Sequence, residues 1–173
     1  MSALWQRHAW WLAASAALLV LLVLAIVGPD RQSALGERIA GGPLRDVPPA
    51  AVLGAEVSQG ARSAALQREG AAHWRRNGQP LDDAMAQRVE AGLRLLHNTP
   101  AEREFDVAQP EYGLTAPTLM VVVQAPGTAS LVLAFGATNP IGLARYVRVQ
   151  RGGDEHVVLL PSDVHDTWAS LLP

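Results

Sequence analysis

The chain has 173 residues, of which 49% are hydrophobic and 17% are charged, and its formal net charge is −2. The fourteen positions that carry lysine or arginine are all arginine, and they form no basic surplus that would indicate a nucleic-acid partner. Because the chain contains no cysteine, disulfide bonds and thiolate metal sites are excluded. This length accommodates one modest domain in addition to a membrane segment.

The first feature along the chain is an apolar stretch at residues 9–27, nineteen residues without a charge. At about 1.5 Å per residue, a helix of this length spans the hydrocarbon core of a bilayer. Trp5, Trp10 and Trp11 stand at its start, where tryptophan rings favour the headgroup level. We therefore predict a transmembrane helix at residues 9–27 after a short stub at residues 1–8, with the lipid bilayer as a partner. The alternatives are a buried core helix and a cleaved signal peptide, whose apolar region is usually shorter.

The same stretch has a row of small residues. Ala9, Ala13 and Ala17 recur every four residues, a spacing that lets transmembrane helices approach one another closely. We interpret the row as a helix-packing stripe, and the alternative is that alanine is merely abundant in this chain. Because a short stub before a first span usually stays in the cytoplasm, we expect the C-terminal part of the chain on the other side of the membrane.

Residues 28–50 read as a linker. Glycines and prolines alternate through this range, and its apolar residues show no sustained period. Prolines stiffen a linker and glycines loosen it, so we expect a spacer of mixed stiffness. The folded domain is accordingly predicted at residues 51–173.

The first half of that domain predicts three short strands and a helix. The strands lie at residues 52–59, 62–69 and 72–76, around turn signals at Gly60 and Gly70. The helix is predicted at residues 82–98, because Pro100 bars continuation and apolar residues recur at helical spacing. Those apolar residues are Met85, Val89, Leu93 and Leu96.

The second half predicts an antiparallel meander. An edge strand is predicted at residues 102–107, and four stronger strands follow at residues 118–124, 130–135, 144–150 and 156–160. Their connections are too short for parallel crossovers. The first two of the four are nearly continuous apolar runs, which favours strands covered on both faces.

A last helix is predicted after Pro161, with Ser162 as its N-cap and an apolar stripe formed by Val164, Trp168 and Leu171. The predicted fold class is therefore α+β. One N-terminal transmembrane helix precedes a single domain, in which two helices pack against an antiparallel β-meander. We also expect Trp74 and Trp168 to be buried against the sheet.

The order of several motifs resembles a known family. Trp74 precedes the helix at 82–98, and Tyr112-Gly113-Leu114 with Pro117 leads into two apolar strands. Across about residues 52–171 the chain resembles a bacterial domain-of-unknown-function family, whose relatives accompany gliding-motility-type ABC transporter auxiliary proteins. The resemblance implies a module tethered to the bacterial inner membrane, with a cytoplasmic N-terminus, a periplasmic domain and no known catalytic residues.

The residues of that signature are themselves interpreted as a structural motif. Gly113 permits a backbone conformation that other residues avoid, and Pro117 suits the entry to a strand. Tyr112 and Leu114 can cap a core. The alternative is a ligand site at these four residues.

Candidates for chemistry are few. Four polar residues late in the chain could in principle bind a divalent metal: His156, Asp163, His165 and Asp166. On a helix, however, His165 is too close in sequence to the two aspartates to share their face, so solvated polar residues are the favoured interpretation. Arg75 and Arg76 beside Trp74 are interpreted as a solvated strand end rather than as a contact to nucleic acid or anionic lipid.

No catalytic, cofactor-binding or metal-binding residue is predicted, because the sequence has no phosphate-binding loop, dinucleotide fingerprint, zinc-histidine pair or nucleophile elbow. We expect no cofactor. The expected function is that of a single-pass, non-enzymatic accessory or assembly subunit of an inner-membrane transporter or secretion complex. Its expected partners are other membrane-protein subunits, with no nucleic acid and no small-molecule ligand. The alternative is an extracytoplasmic module that binds or senses a ligand or the cell wall.

Overall fold

A computed structural model of the chain describes residues 41–106 and 108–173, which belong to one compact unit, Arg38–Pro173. The predicted stub, transmembrane helix and first part of the linker, at residues 1–40, lie outside the described residues. Among the described residues, no helix is long and apolar enough to cross a membrane. The span at residues 9–27 therefore stays a prediction.

Nine strands and two α-helices form the described part of the domain. The strands are β1 (Gly54–Gln59), β2 (Arg62–Arg68), β3 (Trp74–Arg76), β4 (Gln79–Pro80), β5 (Arg103–Phe105), β6 (Leu119–Gln124), β7 (Leu131–Thr138), β8 (Ala144–Arg151) and β9 (Asp154–Pro161). The helices are α1 (Asp83–Asn98) and α2 (Ser162–Ala169), and short 3-10 helices occur at Pro49–Ala51 and Pro110–Tyr112. The α+β class of the domain is confirmed.

All nine strands belong to one antiparallel sheet in the order β4-β3-β2-β1-β6-β7-β8-β9-β5. Strands β6 to β9 follow one another and form the predicted meander. Two long-range pairings complete the sheet: β1 lies beside β6, with Val57 opposite Val121, and β5 lies beside β9, with Phe105 opposite Val157. The two edges are the short strands β4 and β5, and short edges limit pairing with other chains.

Helix α1 has clear start and stop signals. The Asp82 side chain caps its N-terminus by accepting a hydrogen bond from Met85 N at 2.8 Å. The helix ends before Pro100, which cannot continue it. Its buried residues follow the 3.6-residue period and are Ala86, Val89, Gly92, Leu93 and Leu96. This apolar face packs the helix into the domain.

The main core lies on one face of the sheet, which we call the inner face. Val57, Val121, Leu133 and Val149 form a row across four neighbouring strands on this face, and all four are buried. Helix α2 packs against β1, β6, β8 and β9, and α1 packs on α2. Both helices therefore contribute to the same core.

Glycine allows the two helices to pack closely. A Cβ atom at Gly92 would lie 3.1 Å from Trp168 Cε2, so the indole ring lies directly over the backbone of α1. Trp168 and Trp74 are both buried, which confirms the expectation for these two residues.

The predicted cover of β6 on both faces is wrong. Met120 on its outer face is 38% exposed and Val122 is half-buried. The physical reason is that the 3-10 helix at Pro110–Tyr112, which covers part of the outer face, contacts β7 and leaves β6 open. By contrast, β7 is buried along most of its length, as predicted.

The predicted N-cap of α2 is also wrong. Pro161 occupies the cap position, and Ser162 is already the first helical residue. Strand β9 extends to Pro161 and leads into the helix without a turn, so the backbone N–H of Ser162 donates to Leu143 O at 2.9 Å.

The packed domain includes residues that the sequence analysis assigned to the linker at 28–50. Leu44 and Val47 are buried in the main core. Gly42 N and Leu44 N donate to His97 O and Leu96 O, each at 2.9 Å, and these bonds satisfy carbonyls that the end of α1 leaves free. Isolated core contacts of this kind produce no period in the sequence.

Candidate functional site

A cleft of about 370 Å³ opens on the inner face, beside residues 41–46 and strands β5, β8 and β9. Buried aliphatic side chains form its floor, namely Leu131, Val149 and Val158. Charged and polar side chains stand around it, namely Arg45, Asp46, Glu104, Arg151, Asp154 and His156. We call this feature the charged cleft. Its volume lies within the range of small-molecule sites.

The register of the sheet brings the side chains of the cleft together. Asp154 lies opposite Arg151 across the tight β8–β9 turn, and Glu104 lies opposite Val158 on the edge strand β5. Opposite residues project to the same face of an antiparallel pair. The turn requires the left-handed conformation of Gly152, whose φ is 61°.

The two arginines of the cleft contact neighbouring residues of the domain. Arg151 Nη2 donates to Pro43 O at 2.9 Å, and Arg151 Nη1 lies 3.6 Å from Asp46 Oδ2. Arg45 Nε lies 3.7 Å from the other oxygen of Asp46. Since Asp46 is largely exposed, each ion pair contributes at most about 1 kcal/mol. Their role is to fix residues 43–46 against the end of the sheet.

The remaining acidic groups define what the charged cleft can hold. Glu104 and Asp154 form no ion pair with another described residue. In the described ranges, no three His, Asp or Glu side chains are grouped closely enough to hold a metal ion. An apolar floor beside two carboxylates suits an amphipathic molecule. Sequence reasoning missed this cleft because its residues come from four separate stretches with no local motif.

The signature tyrosine lies in a second, smaller core on the outer face of the sheet. Tyr112 and Leu114 are buried there together with Val157. The rings of Tyr112 and Tyr146 stack at a centroid distance of 4.1 Å, and Phe105 lies 5.2 Å from Tyr112. This aromatic cluster covers the outer face near β8 and β9.

Close backbone packing holds the segment of the signature in place. Gly113 has a φ of 66°, and a Cβ atom there would lie 3.0 Å from Ala137 N. A Cβ atom at Gly136 would lie only 2.1 Å from Tyr112 O. Arg148 Nη2 donates to Leu114 O at 2.6 Å. Pro117, the fourth residue of the signature, is half-buried just before β6.

The structure separates the late polar residues. His156 lines the charged cleft, whereas Asp163 and Asp166 are exposed on α2. His165 is buried, with its Nδ1 donating to Asp166 Oδ1 at 2.8 Å and its ring 5.6 Å from that of Phe135. The interpretation of His165 as a solvated residue is therefore wrong, because its side of α2 faces the sheet.

The arginine pair beside Trp74 is engaged in the fold. Arg75 Nε lies 2.7 Å from Glu69 Oε1, and Arg76 Nη1 donates to Leu171 O at 3.2 Å.

The predicted membrane-interface residues Trp5, Trp10 and Trp11 lie outside the described residues, as does the helix-packing stripe, which consists of Ala9, Ala13 and Ala17.

Comparison with known proteins gives no match to a family model, to a curated protein or to a solved structure.

Proposed function

We propose that the chain is a single-pass, membrane-anchored accessory subunit of a bacterial inner-membrane complex of the transporter or secretion type. The observation that carries the proposal is the uncharged apolar segment at residues 9–27, followed in the same chain by a compact domain. A segment of that length and composition is typical of a spanning helix. In this proposal the domain lies in the periplasm and binds other subunits without catalysing a reaction.

The uncovered part of the outer face supports a role in protein binding. One row of this face runs across five strands through Ala65, Glu56, Val122, Val132 and Gln150. Such a mixture of apolar and polar side chains is typical of non-obligate protein interfaces. The expected resemblance to a domain-of-unknown-function family, whose relatives accompany gliding-motility-type ABC transporter auxiliary proteins, implies the same class of function.

Fusions to reporter proteins test the proposed orientation. A C-terminal alkaline phosphatase fusion is expected to be active, because the enzyme folds only outside the cytoplasm, and a green fluorescent protein fusion is expected to be dark. Both fusions are made to the full chain and compared at equal expression. An inactive phosphatase with a bright fluorescent fusion would place the domain in the cytoplasm and contradict the proposal.

The charged cleft favours a second candidate, an extracytoplasmic module that binds a ligand or cell-wall fragment. In that case residues 38–173, produced in the periplasm, retain a small molecule that native mass spectrometry detects. The Glu104→Arg variant is the matched control, because it reverses a charge at the rim without touching the buried floor. A molecule bound by the wild type and lost from this variant would favour the second candidate.

A further inference from the structure

The turn between β7 and β8 carries the two most exposed large aliphatic side chains of the described part of the chain. Ile141 is 73% exposed and Leu143 is 69% exposed. Gly142 lies between them with a φ of 79°, so both bulky residues sit on one tight turn. We call residues 139–143 the hairpin tip. Two neighbouring side chains of this kind, unlike single exposed leucines, require an explanation.

The backbone of the hairpin tip makes most of its hydrogen bonds internally. The Asn139 side chain accepts from Leu143 N at 3.0 Å and from Ala144 N at 3.2 Å. Gly142 N donates to Asn139 O at 2.9 Å, and Asn139 N donates to Ala144 O at 2.7 Å. Pro140 has no N–H to satisfy. The tip therefore presents aliphatic side chains on a backbone with few free donors.

This arrangement suits the boundary of an apolar medium. Unsatisfied backbone groups oppose the placement of a turn in the hydrocarbon core. Among the N–H groups of the tip only that of Ile141 has no partner, and the carbonyls of Pro140, Ile141 and Gly142, which accept no bond from the described residues, require hydration at the headgroup level. Two side chains cover far less than the roughly 800 Å² that each partner contributes to a stable protein interface. A bilayer, by contrast, needs no complementary surface. Arg145 is the one charged residue at positions 138–145, and its half-buried side chain donates to Gly136 O at 3.2 Å, so residues 139–143 themselves carry no charge that would oppose insertion.

We propose that the hairpin tip inserts Ile141 and Leu143 into the boundary between headgroups and acyl chains of the bilayer. This proposal rests on the membrane anchoring proposed above. Leu53 lies at the opposite end of the sheet from the tip, because its N–H donates to the carbonyl of Gln124 at the end of β6. Gly41 lies at that same end, because it lines the charged cleft together with Leu131 at the start of β7. The eight residues of β7 span about 26 Å at roughly 3.3 Å per residue. Residues 28–40 reach up to about 45 Å when extended, so the anchored chain permits a tip-first orientation.

Single cysteines provide the test, because the native chain has none. Full-length Ile141→Cys and Leu143→Cys chains are labelled with an environment-sensitive fluorophore and reconstituted into vesicles of phosphatidylcholine and phosphatidylglycerol. Leu53→Cys is the matched control, since Leu53 is 58% exposed at the other end of the sheet. We expect blue-shifted emission and several-fold stronger quenching by spin-labelled lipids at positions 141 and 143 than at position 53. Inserted side chains lie roughly 5–10 Å below the surface, within reach of such labels.

Carbonate extraction of the same vesicles separates this proposal from the anchoring on which it rests. If the chain resists extraction but positions 141 and 143 remain as water-exposed as position 53, the tip does not insert. Stronger quenching at position 53 would mean that the opposite end of the sheet faces the bilayer, which also overturns the proposal. Protection of position 141 in native membranes but not in pure lipid vesicles would identify a protein as the occupant. If carbonate releases the chain, the anchoring itself is wrong.

Discussion

Replacing Arg68 with methionine is expected to destabilise the domain more than any surface substitution. Arg68 Nη1 lies 2.6 Å from Glu90 Oε1, and the same oxygen accepts from Trp74 Nε1 at 2.9 Å. Arg68 also donates to Val52 O at 2.8 Å and to Pro49 O at 3.0 Å. One side chain thus connects strand β2, helix α1 and the residues that precede β1.

The magnitude follows from burial. The Arg68 and Glu90 side chains are only 8% and 19% exposed. Removing the guanidinium group leaves a carboxylate with little solvent and a single N–H donor, and breaking a buried pair in this way costs about 3–5 kcal/mol. With a urea m-value of about 2 kcal/mol/M, the midpoint of unfolding falls by roughly 1.5–2.5 M.

Urea unfolding of residues 38–173, followed by tryptophan fluorescence, measures this change. The matched control is the double variant Arg68→Met, Glu90→Gln, which removes both charges, keeps an acceptor for the buried Trp74 Nε1 and is expected to recover part of the loss. Glu90→Gln is expected to cost less than Arg68→Met, because its amide oxygen still accepts from Trp74. An Arg68→Met domain that unfolds at the wild-type urea concentration would refute the structural role of this pair.

Three further outcomes are expected. Trp168→Ala removes a buried indole and is expected to lower the unfolding free energy by about 3–5 kcal/mol, measured by the same denaturation. Gly136→Ala would place a Cβ atom 2.1 Å from Tyr112 O and is expected to displace the segment that carries the signature. Limited proteolysis should therefore cleave residues 106–116 faster than in the wild type. Equal cleavage would contradict the close packing of this segment. The double variant Ala13→Leu, Ala17→Leu keeps the apolar segment hydrophobic enough to insert but blocks the close approach of another helix. Reduced assembly with partner subunits is therefore expected. Unchanged assembly would mean that the segment acts only as a tether.

Local signals explain why much of the fold is predictable from the sequence. Helix α1 has its cap, its period and its stop within residues 82–100, and all three agree. Likewise, the meander follows from apolar runs separated by short turn sequences. These features depend on residues close together in the chain.

Long-range contacts explain what the sequence did not reveal. The pairing of β5 with β9 joins residues more than fifty positions apart, and no local pattern specifies it. The same is true of Leu44 and Val47, whose burial depends on α1 and the sheet, and of the charged cleft. His165 reads as a polar residue on a helix, and only the position of α2 over Phe135 shows that it is buried.

The native size of the full-length chain tests the proposed accessory role most directly. The tagged chain, expressed from its own locus, is extracted from membranes in mild detergent, separated by native electrophoresis and analysed by quantitative mass spectrometry. We expect the 18.4 kDa chain to migrate in a much larger assembly, at a fixed ratio to other membrane-protein subunits. Migration of the chain alone, or its recovery in the soluble fraction without detergent, would contradict the proposed role of the chain as a membrane-anchored subunit.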